Sequence, residues 1–80
     1  MNREEILENV TAAFKTILEH DNFILTNETT AEDVEGWESV THMMIITEIE
    51  NKLDIVFKLN DLMNMNNIGD LLKIIAIKLN

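Results

Sequence analysis

Three long stretches of this 80-residue chain place apolar residues three or four positions apart, the spacing of one face of an α-helix. They predict helices over about residues 3–19, over Ser39–Leu53, and from Asn66 or Asn67 almost to the last residue. The expected buried faces are Ile6, Val10, Ala13, Phe14 and Ile17, then Ile45, Ile46, Ile49 and Leu53, then Ile68, Leu71, Leu72, Ile75 and Leu79. The pattern predicts a single all-α domain spanning residues 1–80.

Polar side chains mark the expected helix starts. Asn2 followed by Glu5 fits a capping box, and Asn60 is a candidate cap for a short helix over about residues 59–65. The apolar residues 53–57 before it would suit a strand, but nothing nearby would pair with one. Residues 74–77 alone would also suit a strand, and helix is favoured there because the flanking polar residues fall at helix positions.

A long connection over residues 21–38 separates the first two helices, and such a loop in a compact domain usually has a functional reason. We expect Phe23, Ile24 and Leu25 to pack beneath the helices, followed by one helical turn near residues 31–34. The nearby carboxylates lack the spacing of a calcium loop, so we interpret them as solvated and predict no metal site. These carboxylates belong to Glu32, Asp33, Glu35 and Glu38.

Charge is distributed unevenly along the chain. From Thr16 to Asn51 there is no Lys or Arg, and nine acids account for the whole net charge of −9. Such a field repels nucleic acid and anionic membrane and attracts basic protein surfaces. The chain has no cysteine, secretory signal or apolar run of membrane-spanning length, so we expect a cytoplasmic protein without disulfides.

Ser39 lies where this loop becomes the second helix. Gly36 permits a sharp change of direction just before it, and the helix's apolar face starts only further along, so the Ser39 hydroxyl is expected to face water. The first-turn amides have no partner within the helix and would stabilise a phosphate esterified to that hydroxyl. Two alternatives are a plain N-cap and a nucleophile paired with His42, one turn further on.

The segment Gly36-Trp37-Glu38-Ser39-Val40-Thr41-His42 resembles the modification site of acyl carrier proteins, with Glu38 where that family usually has Asp and Val40 where it usually has Leu. The resemblance implies a four-helix bundle with a long first loop and one short helix. It also implies 4′-phosphopantetheine on Ser39, carrying acyl or aminoacyl groups as thioesters. The implied partners of this monomeric non-enzyme are a phosphopantetheinyl transferase and the enzymes that load and unload the cargo.

A second stripe of the second helix, Val40, Met43, Met44 and Thr47, is less polar than exposure alone would predict. The methionines could fill gaps in the core. Alternatively, the stripe forms a partner-binding face together with the acids Glu38, Glu48 and Glu50, and the resemblance favours this second interpretation. Two rival functions remain, an acidic helical module that binds a protein and is never modified, and a degenerate carrier that keeps the fold without being loaded.

Overall fold

A computed structural model describes all residues from 1 to 80, and its regular structure is entirely helical. Three long helices, one short helix and one 3₁₀ turn follow each other in the predicted order. They are α1 (Arg3–Leu18), the 3₁₀ turn (Ala31–Asp33), α2 (Ser39–Leu53), α3 (Leu59–Met63) and α4 (Ile68–Leu79). The all-α prediction, the long first loop and the short helix are confirmed, and no strand forms at residues 53–57 or 74–77.

One hydrophobic core joins α1 to both α2 and α4. Phe14 lies at its centre with its side chain fully buried. The predicted buried faces of α2 and of α4 up to Ile75 are in this core, whereas Ile17 and Leu79 pack at its edge. Burial of these apolar stripes is the main driving force for a bundle of this size.

The starts of α1 and α4 carry the predicted asparagine caps. The Asn2 side chain accepts a hydrogen bond from the Glu5 N–H, and the Glu5 side chain accepts one from the Asn2 N–H in return. At α4 the cap is Asn67, whose side chain accepts from the Asp70 N–H at 2.8 Å.

The cap predicted for the short helix α3 is wrong. Lys58 occupies the N-cap position and Asn60 lies inside the helix, because Asp61 is placed to accept from the Lys58 N–H at 2.8 Å. Asp61 also forms an ion pair with Lys78 of α4 at 2.7 Å. The hydrogen bond from Lys78 lowers the pKa of Asp61, and this ion pair links α3 to α4.

The loop before the 3₁₀ turn packs differently from the prediction. Leu25 is buried and Phe23 partly so, but Ile24 is 85% exposed, because alternate side chains of an extended segment point in opposite directions. The loop then passes the start of α4. There the carbonyls of Thr29 and Asn27 accept hydrogen bonds from the Ile68 and Gly69 N–H groups at 2.9 and 3.0 Å.

Candidate functional site at the start of the second helix

Ser39 is the first residue of α2 and is exposed, as the sequence predicts. No hydrogen bond of the structure engages its hydroxyl. The preceding residue, Glu38, is the N-cap, so Ser39 is not itself the cap of the helix. The hydroxyl is therefore free to react or to carry a group in solvent.

The helix start around Ser39 is open. The Ser39 and Val40 N–H groups donate to no protein acceptor, and the first helical bond is that of the His42 N–H to the Glu38 carbonyl at 2.7 Å. Glu38 and Thr41 are placed as in a capping box, yet the Glu38 carboxylate forms no cap hydrogen bond. Free amides at the positive end of a helix are suited to an anion such as a phosphate.

A tight turn presents this open start. Gly36 has a φ of +88°, a conformation that favours glycine, and the Trp37 N–H closes the turn on the Val34 carbonyl at 3.2 Å. On its far side, the Glu35 carbonyl lies 2.7 Å from Nε2 of His20. His20 follows the end of α1 and so links α1 to the turn.

Trp37 anchors the turn in the core. Its side chain is buried and meets the Phe14 ring edge-on, with centroids 4.8 Å apart and planes at 83°. Its indole Nε1–H donates to Nδ1 of His42 at 2.9 Å. The Thr41 hydroxyl completes the support, because it accepts from the Glu38 N–H and donates to the Gly36 carbonyl.

His42 is half-buried beside Ser39, and this burial lowers its pKa below the ordinary value. The side chain is therefore neutral at neutral pH. Its Nδ1 is bonded to Trp37, and no hydrogen bond joins His42 to Ser39. The nucleophile alternative lacks the base-to-hydroxyl contact that would support it.

Two clefts open on either side of Ser39. One of about 380 Å³, here called the Ser39 cleft, is lined on its apolar side by Trp37 and Met65, with Ser39, His42 and Asn66 around them. The other, of about 680 Å³, runs along α2. A third cavity of about 470 Å³ lies between the starts of α1 and α4 and contains none of the predicted site residues.

The second cleft is formed by the less polar stripe of α2. The residues of this stripe that line the cleft, together with Glu48, are named here the exposed α2 face: Val40, Met43, Met44, Thr47 and Glu48. Val40 is 73% exposed and the two methionines are about half exposed, so the alternative in which they fill core gaps is wrong. Glu38 is exposed next to this face. Glu50 is set apart from it, because its carboxylate accepts the Phe57 N–H at 2.8 Å and anchors the chain after α2.

Sequence reasoning missed the hydrogen bonds that build the turn. The Trp37–His42 and His20–Glu35 contacts join residues five and fifteen positions apart, with no repeating pattern to show them. Only the presence of His42 soon after the Gly-Trp segment hints at the first of these contacts. The acidic loop, in turn, brings together no group of three His, Cys, Asp or Glu side chains able to hold a metal ion.

Comparison with known proteins identifies the bundle. The solution NMR structure of a holo acyl carrier protein from Geobacter metallireducens is similar, with a TM-score of 0.85 and 35% sequence identity over 92% of this chain and 85% of that one. A scan of protein-family models and a search of curated proteins found no match. None of the helices is long and apolar enough to cross a membrane.

The helical bundle that this chain shares with that solved protein is the fold of a carrier protein. The chain belongs to the acyl carrier protein family, and its function is to carry acyl groups.

Proposed function

We propose that Ser39 carries 4′-phosphopantetheine through a phosphodiester and that the chain delivers acyl or aminoacyl groups bound to this arm. The observation that supports the proposal best is the exposed, unbonded Ser39 hydroxyl at a helix start whose first amides are free. The residues present fit the group, because the Ser39 and Val40 N–H groups can bind the phosphate while the Ser39 cleft accommodates the arm. When bound, the arm supplies a terminal thiol that holds the cargo as a thioester.

The attachment chemistry asks little of this chain. The Ser39 oxygen forms the new ester bond to the phosphate that carries the arm, and its proton passes to the base. The pyrophosphate bond of coenzyme A breaks, and adenosine 3′,5′-bisphosphate leaves. A phosphopantetheinyl transferase supplies the base, the metal ion and the coenzyme A site. The Glu38 carboxylate forms no cap hydrogen bond, so it does not compete with the phosphate for the first amides of α2.

Intact-mass measurement after incubation with coenzyme A and a broad-specificity transferase tests this proposal. The wild-type chain is expected to gain the mass of the arm, and Ser39→Ala is expected to gain nothing. Ser39 is the only serine of the chain, and Thr16→Ala on the exposed side of α1 is a matched control that loses a hydroxyl elsewhere. A wild-type chain that no transferase loads would favour the unmodified module or the degenerate carrier. An addition that persists in Ser39→Ala would place the arm elsewhere.

We further propose that the exposed α2 face, with Glu38 at its edge, is the surface that binds the transferase and the loading and transfer enzymes. Apolar side chains in the centre and acids at the rim are the arrangement of a weak interface steered by charge. A shuttle needs fast exchange between partners, and charge steering raises the association rate without requiring tight binding. Glu50 contributes less to this face than the sequence suggests, because its carboxylate is bonded to the backbone of Phe57.

The docking proposal is tested by the salt dependence of loading. Glu48→Lys reverses a charge in the cleft along α2 and is expected to slow loading by about tenfold at low salt, with a smaller effect at high salt. Glu8→Lys on α1 makes the same change in net charge away from this face and is expected to leave the rate nearly unchanged. Equal effects of the two variants would contradict the proposal, since only net charge would then matter.

A further inference from the structure

The hydrogen bond between Trp37 and His42 fixes which nitrogen of the histidine carries its proton. The indole Nε1–H can only donate, so Nδ1 of His42 must accept with its lone pair. A neutral imidazole with an unprotonated Nδ1 carries its proton on Nε2. Trp37 thereby makes Nε2–H of His42 a fixed hydrogen-bond donor.

This donor has no partner in the protein and remains accessible. No hydrogen bond of the structure involves Nε2 of His42, and no unpartnered polar side-chain atom of the chain is fully buried. Nε2 therefore reaches the surface. His42 lines the Ser39 cleft, so a group bound beside Ser39 can meet this nitrogen.

Ser39 and His42 stand three residues apart on the same helix. Side chains at this spacing lie on one face, with about 5–6 Å between their Cβ atoms. A phosphate ester extends the serine side chain, and the imidazole brings Nε2 beyond its own Cβ. This extension brings the phosphate oxygens towards Nε2–H.

We infer that Nε2–H of His42 donates a hydrogen bond to a nonbridging phosphodiester oxygen on Ser39 and so directs the arm into the Ser39 cleft. This inference rests on the proposed attachment of the arm to Ser39. The free amides of α2 hold the phosphate from the helix end, whereas His42 holds it from the side of the cleft. His42 thus contacts the prosthetic group, and Trp37 is a positioning residue that acts through His42.

The asparagine variant of His42 separates the two hydrogen bonds. The amide oxygen of Asn lies where Nδ1 lies in histidine, so His42→Asn keeps an acceptor for Trp37 and removes only the Nε2 donor. Trp37→Phe does the reverse, because it keeps a buried ring and removes the donor that selects the tautomer. The chain's other histidine, His20, is an internal control, since it contacts Glu35 and not the Ser39 cleft.

Nitrogen NMR of the histidines and phosphorus NMR of the arm test the inference, with intact mass recorded on every sample. In the unloaded wild type, His42 is expected to carry its proton on Nε2, and Trp37→Phe is expected to give a mixture of tautomers. Loading is expected to shift the His42 Nε2–H signal and slow its exchange with solvent by about tenfold, while His20 stays unchanged. The phosphorus resonance is expected to move in loaded His42→Asn towards that of the free arm.

Each result decides between the inference and the proposal on which it rests. A proton on Nδ1 of His42 in the unloaded chain overturns the inference before any loading. A loaded chain whose phosphorus resonance is the same in His42→Asn and wild type also overturns it, even if His42 responds, because the contact then lies further along the arm. A wild type that no transferase loads overturns the attachment itself, and the inference with it.

Discussion

The starts of α2 and α4 differ in whether their first backbone N–H groups have hydrogen-bond partners in the protein. At α4, the first three N–H groups are bonded to the Thr29 and Asn27 carbonyls and to the Asn67 side chain. At α2, the Ser39 and Val40 N–H groups have no protein partner. Because unpaired helix-end amides can be satisfied by caps, by water or by a ligand, the closed start is structural and the open one is available for binding.

The open start of α2 is nevertheless held firmly in place. The buried Trp37 ring and the hydrogen bonds of the Thr41 hydroxyl hold it in place, and no side-chain cap binds the first amides. The α4 start gains order from the same loop that leaves α2 free. The loop between α1 and α2 therefore supplies hydrogen-bond acceptors to the start of α4 and leaves the start of α2 exposed. These two roles are a physical reason for its length.

The largest expected effect comes from removing the support behind the open start. Trp37→Ala deletes a buried ring that packs against Phe14, and we expect a loss of about 3–5 kcal/mol in the free energy of unfolding. Urea denaturation followed by far-ultraviolet circular dichroism measures it without relying on Trp fluorescence. Val56→Ala, at a 74% exposed position, is the control and should stay within about 0.5 kcal/mol of wild type. A small effect of Trp37→Ala would mean that the turn is held by other contacts.

The turn before α2 gives the next largest effect. Gly36 has a positive φ, and its nearest obstacle, Leu18, would lie 3.4 Å from an added Cβ, so a substitution is limited by conformation and not by space. Gly36→Ala is expected to lower the free energy of unfolding by about 1–2 kcal/mol. Gly36→Asn is the matched control, and although larger it should cost less, because Asn tolerates positive φ better. A higher cost for Asn would indicate crowding instead.

The two helix starts themselves are compared by removing their caps. Asn67→Ala takes away the acceptor of the Asp70 N–H and is expected to cost about 1 kcal/mol, measured by urea denaturation. Glu38→Ala removes a side chain that forms no cap hydrogen bond and should cost close to nothing. Glu38→Asp adds a cap that can accept from the Thr41 N–H and so leaves the Ser39 and Val40 amides to the phosphate. It should stabilise α2 by about 0.5 kcal/mol while leaving modification intact or faster. A loss of about 1 kcal/mol in both alanine variants would show that both helix starts are capped by these side chains.

Much of this comparison can be read from the sequence, but not all of it. The helix positions and buried stripes are predictable because burial imposes a regular spacing on residues such as Ile45, Ile49 and Leu53. Asn2 was identifiable as a cap because its partner is three residues away. Asn60 was not correctly assigned, since Asp61, reaching back to Lys58, decides where α3 begins. The closure of α4 by Asn27 and Thr29 depends on how the loop packs, which local sequence does not encode.

The smallest expected effect concerns the pH dependence of stability. Burial lowers the pKa of His42 below its ordinary value of 6.5, so near that pH the unfolded chain binds more protons than the folded chain. The stability that this adds is fully present above pH 6.5 and is lost as the pH falls through the folded-state pKa. Between about pH 7.5 and about pH 5.5, wild type should therefore lose more free energy of unfolding than His42→Asn does. Because every other ionisable group is present in both proteins, the difference between the two slopes isolates His42. Parallel slopes would mean that His42 is as well solvated in the folded chain as in the unfolded chain. The hydrogen bond between Trp37 and His42 would then be weaker than its length of 2.9 Å indicates.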